Sequence, residues 1–494
     1  MAYYIGIDSS TTATKALLMN AQGKVINVAS SSYEYETPNP LWSEQDPNLW
    51  WQATVQSIQQ LLAMSDVDKE AIKGIGLTGQ MHGLVLLDNN GRILRPAILW
   101  NDQRTGAECD LMRNLIGKER LIDISGNDAL TGFTAPKIMW VKAHEPHIYE
   151  RIAHILLPKD FVRWKLTQTF AMDKAGGSGS QLFDIRRRDW SAELVEQFEI
   201  NADWLPPTFE GTAVTGQLCT HAADLTGLKV GTPVYGGGGD QAANGVGTGA
   251  VKEGIVSLSL GTSGVIFASS DRPQIEKNGR LHTFCHAVPN KWHTMGVMLS
   301  AAGCLRWYHD TFAQELDYDQ LVSQTTTVQP GCEGLLFLPY LTGERTPYPD
   351  PLARGAFVGI TVRHNKAHFT RAVLEGVAFG FRDILNLMKS SGLENISQIR
   401  ASGGGAKNRE WRQILADVLQ TEVVSINTAE GAAFGAALLA AVGNGQFSST
   451  EEACDELIQI TETVAPSKNS SSYDKFYALY HDLYPQLSPT FTQL

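Results

Sequence analysis

Two stretches of this 494-residue chain repeat one pattern, and that repetition is the tightest constraint on its fold. In the first, Tyr4-Ile5-Gly6-Ile7-Asp8 reads as a strand, Ser9-Ser10-Thr11-Thr12-Ala13-Thr14 as a hydroxyl-rich bend, residues 15–19 as the return strand and residues 24–28 as a third strand. In the second, residues 254–260 form the strand, Gly261-Thr262-Ser263-Gly264 the tight turn and residues 265–268 the return. Each alone can be an ordinary hairpin with a solvated turn. Together, one opening each half, they are what a duplicated fold supplies when both turns grip one polyphosphate from opposite sides. Main-chain N–H groups with the hydroxyls of Thr11 and Thr12 suit phosphate, and Asp8 at the strand end suits Mg²⁺ held through water.

Near the middle, Gly236-Gly237-Gly238-Gly239-Asp240-Gln241 follows Pro233-Val234-Tyr235 and precedes the small residues 242–247. Four glycines open backbone conformations closed to other residues and leave room for a ligand beside the main chain, with Asp240 placed to act as a base. The same stretch also reads as a linker between domains whose aspartate only caps a helix.

The length predicts two or three domains. With 43% hydrophobic and 19% charged residues the chain has ample core material, and a net charge of −12 argues against binding a nucleic-acid backbone. Cys109, Cys219, Cys285, Cys304, Cys332 and Cys454 include no Cys-x-x-Cys pair, so they read as buried thiols rather than a zinc site or disulfide framework. The N-terminus lacks a secretion signal and residues 431–443 are too short and glycine-rich to span a bilayer, which predicts a cytoplasmic protein without membrane contact.

Asp46-Pro47 predicts a helix start, with Trp51, Val55, Ile58 and Leu62 as its core face. Just before it, Trp42 and Glu44 lie in a polar loop, where the tryptophan either packs on a sugar's C–H face or is structural. Residues 75–78 read as a buried strand ending in Gln80-Met81-His82, where α/β folds place ligand contacts. The cluster Trp100-Asn101-Asp102-Gln103-Arg104 either lines a polyol pocket or contains an Asp102–Arg104 ion pair. Glu344 and Arg345 are structural partners or site residues, and Gly403-Gly404-Gly405-Ala406-Lys407-Asn408 either admits a flat ring against the main chain or is a tight strand-to-helix turn.

The paired hairpins are the pattern of the actin-like, ribonuclease-H-like ATPases, and the chain resembles the FGGY carbohydrate kinases over nearly its whole length. Gly132-Phe133-Thr134-Ala135-Pro136-Lys137-Ile138-Met139-Trp140-Val141 looks like one family signature. Gly355-Ala356-Phe357-Val358-Gly359-Ile360 with His368-Phe369 and Ala372-Val373-Leu374-Glu375 looks like the other. Leu41-Trp42-Ser43-Glu44-Gln45-Asp46-Pro47, Gly79-Gln80-Met81-His82-Gly83, Ile98-Leu99-Trp100-Asn101-Asp102 and Leu156-Leu157-Pro158-Lys159-Asp160 are similar to stretches of the members that act on xylulose.

The resemblance implies an α/β fold of two duplicated ribonuclease-H-like domains with a cleft between them, residues 1–245 binding the sugar and 246–494 the nucleotide. It implies phosphorylation of D-xylulose to D-xylulose 5-phosphate by ATP with Mg²⁺, Asp240 being the catalytic base. Met81, His82 and Gln241 then contact the ketose, joined by Trp42, Gln80, Trp100 and Asp102. Asp8, Thr11, Thr12 and Lys15 fall near phosphate and metal, Gly261, Thr262 and Ser263 on the opposite phosphate face, and Gly404, Gly405, Ala406 and Asn408 at the adenosine.

Ser10 and Ala13 stand where the first phosphate loop commonly has glycines, Gln241 where xylulose-specific members often have asparagine, and residues 173–179 are unusually glycine-rich. A kinase for glycerol, L-ribulose, gluconate or a related polyol is the alternative, and an actin-like scaffold ATPase the more distant one. Family members are often dimers, which leaves a homodimer open. Sugar binding is expected to close the cleft, with the glycines at 236–239 as part of the hinge.

Overall fold

A computed structural model describes residues 1–428 and 430–494. The first lobe is built on β1 (Tyr3–Ser9), β2 (Ala13–Asn20), β3 (Val25–Ser32), β4 (Ile72–Gly79), β5 (Val214–Gln217) and β6 (Pro233–Gly239), side by side in the order β5-β6-β4-β1-β2-β3. The second is built on β7 (Ile255–Leu260), β8 (Gly264–Ser270), β9 (His282–Cys285), β10 (Trp292–Met298), β11 (Gln398–Ser402), β12 (Val423–Ile426) and β13 (Ile460–Val464), in the order β9-β10-β8-β7-β11-β12-β13. Each sheet pairs its opening strand antiparallel with the next, and parallel with a strand that returns after a long crossover. The same connectivity occurring twice is the duplicated α/β architecture that the two hairpins imply.

Helices cover the sheets: α1 (Pro47–Ala63), α2 (Pro158–Thr167), α3 (Lys174–Ser178) and α4 (Asp240–Gly247) in the first half, then α5 (Ala302–Phe312), α6 (Tyr318–Ser323), α7 (Lys366–Ser390), α8 (Arg409–Leu419) and α9 (Gly431–Gly443). The Asp46 carboxylate caps α1 by accepting the Asn48 N–H, with Pro47 in the first turn. The buried face of α1 includes the expected Trp51 and Ile58, with Val55 and Leu62 packed against the same core, and extends further round the helix. Trp50, Thr54, Ser57, Ile58 and Leu61 are buried, whereas Val55 and Leu62 are only half-buried. Thr54 and Ser57 turn inward because their hydroxyls have partners there, the carbonyls of Trp50 (2.7 Å) and Thr14 (2.9 Å).

The four central glycines are strand rather than linker. They form the buried end of β6, and a bulge at Gly237, whose φ is +66°, shifts the register against β4. A Cβ at Gly237 would stand 1.7 Å from the Leu77 carbonyl oxygen, so only glycine fits.

The lobes meet through α4 and α9, which follow β6 and β12 respectively. A Cβ on Gly435 would lie 1.9 Å from the Ala243 carbonyl oxygen, and one on Gly247 would lie 1.9 Å from that of Gly431. On its other side α9 lies directly on the first lobe's sheet, where a Cβ on Gly6 or Gly76 would come within 1.9 Å of the carbonyl oxygens of Ala433 or Ala436. Leu17, Tyr235, Val246, Phe434 and Leu438 fill the space around these approaches. Gly→Ala in a helix ordinarily stabilises by roughly 1 kcal/mol. Here Gly435→Ala should instead lower unfolding stability by about 1–3 kcal/mol, as overpacking does. A urea melt showing unchanged or raised stability would contradict this seating.

Candidate active site

Strands β4 and β6 end side by side at the cleft, and their last residues carry the first lobe's polar groups. His82 follows β4 with φ at +68°, a conformation held from three directions. Lys137 Nζ donates to the His82 carbonyl oxygen (2.9 Å) and to that of Gly132 (2.7 Å), and Thr134 Oγ1 reaches the same His82 oxygen at 3.2 Å. The lysine of the first signature thus sets the backbone of a neighbouring loop. The His82 Nδ1 stands 2.7 Å from the Gly179 carbonyl oxygen, so it carries the hydrogen, and Nε2 is left with its lone pair. Burial pushes the His82 pKa down to about 3, opposed by the Gly179 contact and helped by the charge of Lys137. The ring is therefore a neutral acceptor.

The glycine-rich segment now has a physical account. Asp173 caps α3 through the Gly176 N–H (2.8 Å), and Lys159 bonds both Asp160 and Asp173 in a fully buried cluster. A Cβ on Gly179 would lie 2.8 Å from both His82 Cε1 and Met81 Cε. From the same cluster Arg163 donates to the carbonyl oxygens of Tyr235 (2.8 Å) and Gly236 (2.7 Å), which fixes the bulge that leads to Asp240.

Asp240 opens α4 at the end of β6. One carboxylate oxygen accepts the Gln241 N–H (2.8 Å), and among the described residues the group has no ion-pair partner. Burial and then the charge of Asp8 raise its pKa to about 7. Asp8 lies one strand further, Thr78 of β4 pairing with Asp8 on one side and Gly238 on the other. Burial raises the Asp8 pKa to about 6 against the pull of Lys15, and its Oδ1 is buried without a partner. The adjacent bend closes through Ser10, whose hydroxyl donates to the Ala13 carbonyl (2.8 Å). Residues 10–13 have no positive φ, so the backbone conformation here does not require glycine.

In the second lobe a cavity of about 660 Å³ is lined by Leu260, Leu305, Val322 and Trp411 below and by Gly261, Thr262, Gly404, Gly405 and Asn408 around its mouth. The turns after β7 and β11 meet there with the start of α5: the Ala301 and Gly303 N–H groups donate to the Thr262 carbonyl. Gly303, Arg306, Tyr318 and Asp319, which the sequence reading missed, complete the wall. They come from α5 and α6, which carry no glycine-rich signal. Ser263 is exposed beside Thr262.

Several expected contacts stand elsewhere. The Trp42 face is covered by the Arg104 guanidinium, 3.6 Å from the ring centroid, and Trp140 meets it edge-on, so it is structural. Asp102 is fully buried, bonded to Arg104 (2.7 Å) and to the Ser43 N–H (2.7 Å), which resolves that cluster as an ion pair and removes Asp102 from a sugar pocket. Glu44 joins the same cluster at 2.7 Å from Arg104. Lys15 is engaged by Glu430 at 2.6 Å rather than standing free for phosphate. Ala406 packs into the second lobe's core, and only its neighbours line the cavity. Met81 is buried against Gly239 and Gly179. Gln80 is buried with Oε1 unpartnered, Thr12 is exposed at the bend, and Trp100 keeps an exposed ring while its N–H bonds Thr11 Oγ1 (2.9 Å).

Gly179→Ala should push the His82 ring aside and lower kcat/KM for the sugar by about 10- to 100-fold with the KM for nucleotide unchanged, since misplacement of about 1 Å carries such costs. Unaltered sugar kinetics would contradict the packing. In a carboxyl NMR titration of the free protein, Asp240 should release its proton near pH 7. Asp8→Asn should move that midpoint to lower pH, because a repelling charge is removed. A native midpoint near the ordinary value of about 3.9 would refute the environment described.

The family model for the N-terminal domain of the FGGY family of carbohydrate kinases matches residues 3–247, and that for its C-terminal domain matches residues 256–443. The chain is 39% identical to the xylulose kinase of Bacillus subtilis over 98% of its own length and 97% of that protein's. A solved structure described as a xyloylose kinase from Brucella ovis superposes with a TM-score of 0.93 at 38% identity, covering 99% of this chain and all of that one. The gluconate kinase of Lactobacillus acidophilus superposes with a TM-score of 0.94 at 25% identity, covering 100% and 99%. Two lobes of one connectivity and family models matched in both halves lead to one conclusion: the chain belongs to the FGGY family of carbohydrate kinases.

Proposed function

We propose that this protein transfers the γ-phosphoryl group of ATP to the terminal hydroxyl of D-xylulose, giving D-xylulose 5-phosphate and ADP, with Asp240 as general base. The observation that carries the reading is Asp240 itself, which stands at the end of β6 with no ion-pair partner among the described residues and a pKa raised to about 7. A base titrating near the working pH combines ionisation with proton affinity. Residues 1–245 supply the sugar side and the base, and 246–494 the nucleotide side. Likeness to xylulose kinases over the whole chain supports the sugar.

Asp240 takes the proton of the sugar hydroxyl while that oxygen bonds to the γ-phosphorus and the bond to ADP breaks. The His82 Nε2 lone pair accepts from a second sugar hydroxyl, and Gln241 beside Asp240 and the exposed Trp100 ring border the same space. Thr11 and Thr12 on one bend, with Gly261, Thr262 and Ser263 on the other, flank the phosphates. The apolar floor of the cavity near Gly404, Gly405 and Asn408 takes the base. Asp8, whose Oδ1 is buried without a partner, fits a magnesium ion held through water. Mg²⁺ commonly needs only one or two carboxylates plus substrate phosphates. When bound, it supplies charge stabilisation to the phosphates.

A second acceptor, gluconate or a related sugar or polyol, is favoured by Gln241 and by the likeness to a gluconate kinase. A coupled ADP-release assay over ketoses, aldoses, polyols and sugar acids should give the highest kcat/KM with D-xylulose, and preference for another acceptor rejects the sugar. Asp240→Ala should lower kcat by about 10²–10⁴-fold with ADP affinity retained. Full turnover in that variant rejects the base.

A further inference from the structure

We propose that Arg345, carried by the second lobe, binds the carbonyl end of the ketose, away from the hydroxyl that receives phosphate. The proposal rests on the ketose reading above.

The backbone around Arg345 is stitched down on both sides. The Glu344 N–H donates to the Asp350 carbonyl (2.9 Å), and the Glu344 carboxylate accepts the N–H groups of Leu299 (2.9 Å) and Arg345 (2.7 Å). The Thr346 N–H donates to the Val297 carbonyl (3.1 Å), and its hydroxyl donates to that of Arg280 (3.0 Å). Yet the guanidinium held there has no hydrogen-bond or ion-pair partner among the described residues, though it is half-buried and has five N–H groups to satisfy. The adjacent Glu344 does not pair with it, because that carboxylate is turned toward the end of β10. A clamped backbone thus presents a donor fork that no protein group occupies and that a ligand can complete.

Its surroundings indicate what that ligand is. His82 from the first lobe and His282 from the second pack on the same two rings, Phe133 (4.6 and 5.9 Å between centroids) and Phe284 (5.9 Å for both). His282 Nδ1 lies 3.2 Å from Asn127 Oδ1, while its Nε2 is buried with no partner. Burial first, and the charge of Arg345 next, keep His282 neutral. Thr346 is bonded to Val297 of β10 and His282 is paired with Met295 of the same strand, so Arg345 is seated near His282, and its charge acts on both imidazoles. Hydroxyls satisfy the imidazoles by donating to them, and an oxygen that only accepts satisfies the guanidinium. A ketose has both kinds of oxygen side by side. In a polyol the carbonyl is replaced by a hydroxyl, which can also accept from the guanidinium but must place its own proton on a further acceptor.

The test is steady-state kinetics of the native chain, Arg345→Met and Arg345→Lys on D-xylulose and on xylitol, with ADP affinity by calorimetry as the measure of folding. If Arg345→Met fails to bind ADP, Arg345→Gln takes its place. Arg345→Met should raise the KM for D-xylulose by about tenfold or more and lower the ketose-to-polyol ratio of kcat/KM by a similar factor, as loss of a polar match does. Arg345→Lys should recover part of both. Values within about twofold of native in Arg345→Met overturn the proposal and leave the ketose assignment standing. So does a collapse of kcat at constant KM, which assigns the guanidinium to the transferring phosphoryl group. A native chain that turns over no ketose overturns the assignment and this proposal together.

Discussion

The molecule depends on the seating of α9 between the first lobe's sheet and α4. Helix backbone meets strand backbone and helix backbone at distances only glycine permits, with Gly6 and Gly76 below and Gly435 and Gly247 beside. Such contact replaces the side-chain layer that ordinarily separates packed elements by 8–10 Å. It lets the two halves share one apolar interface while the ends of β1, β4 and β6 remain open to the cleft. The lobes therefore meet at a packed helix pair. The glycines preceding Asp240 are committed to the sheet.

That arrangement sets the electrostatics of the site. Asp8 and Asp240 stand on the same sheet with one strand between them; burial holds both above the usual carboxylate range, and the charge of Asp8 raises Asp240 further. The imidazoles nearby go the other way: His82 and His286 are both pushed down to about 3 by burial. The first lobe's site thus holds carboxylates ready to exchange protons near neutrality beside an imidazole, His82, that stays neutral. On the proposed function, this division would separate proton acceptance from sugar recognition.

Much of this was legible in the residues. Hairpins announce themselves through short turns between apolar runs, and the Asp46-Pro47 start of α1 is local chemistry. The Lys15–Glu430 pair joins residues too far apart in the chain for any local pattern to suggest. Four consecutive glycines read as loop because glycine disfavours strands, and only the crowding by Leu77 and Glu210 main chain shows why a strand needs them. The buried face of α1 is broader than its apolar pattern because Thr54 and Ser57 are polar residues with buried partners. Trp42 and Asp102 looked like pocket residues by type, and the Arg104 that occupies both is what removes them. Lys137 was visible in a signature, but its bond to the His82 carbonyl exists only after folding.

The central claim is that a carboxylate on the first lobe meets a sugar hydroxyl in the cleft while the second lobe holds the nucleotide. A crystal structure with D-xylulose and a non-hydrolysable ATP analogue tests it most directly. The terminal sugar hydroxyl should lie about 2.6–3.2 Å from an Asp240 oxygen and point at the γ-phosphorus. A bound sugar whose nearest hydroxyl is out of reach of Asp240, with another group in that place, would contradict the account.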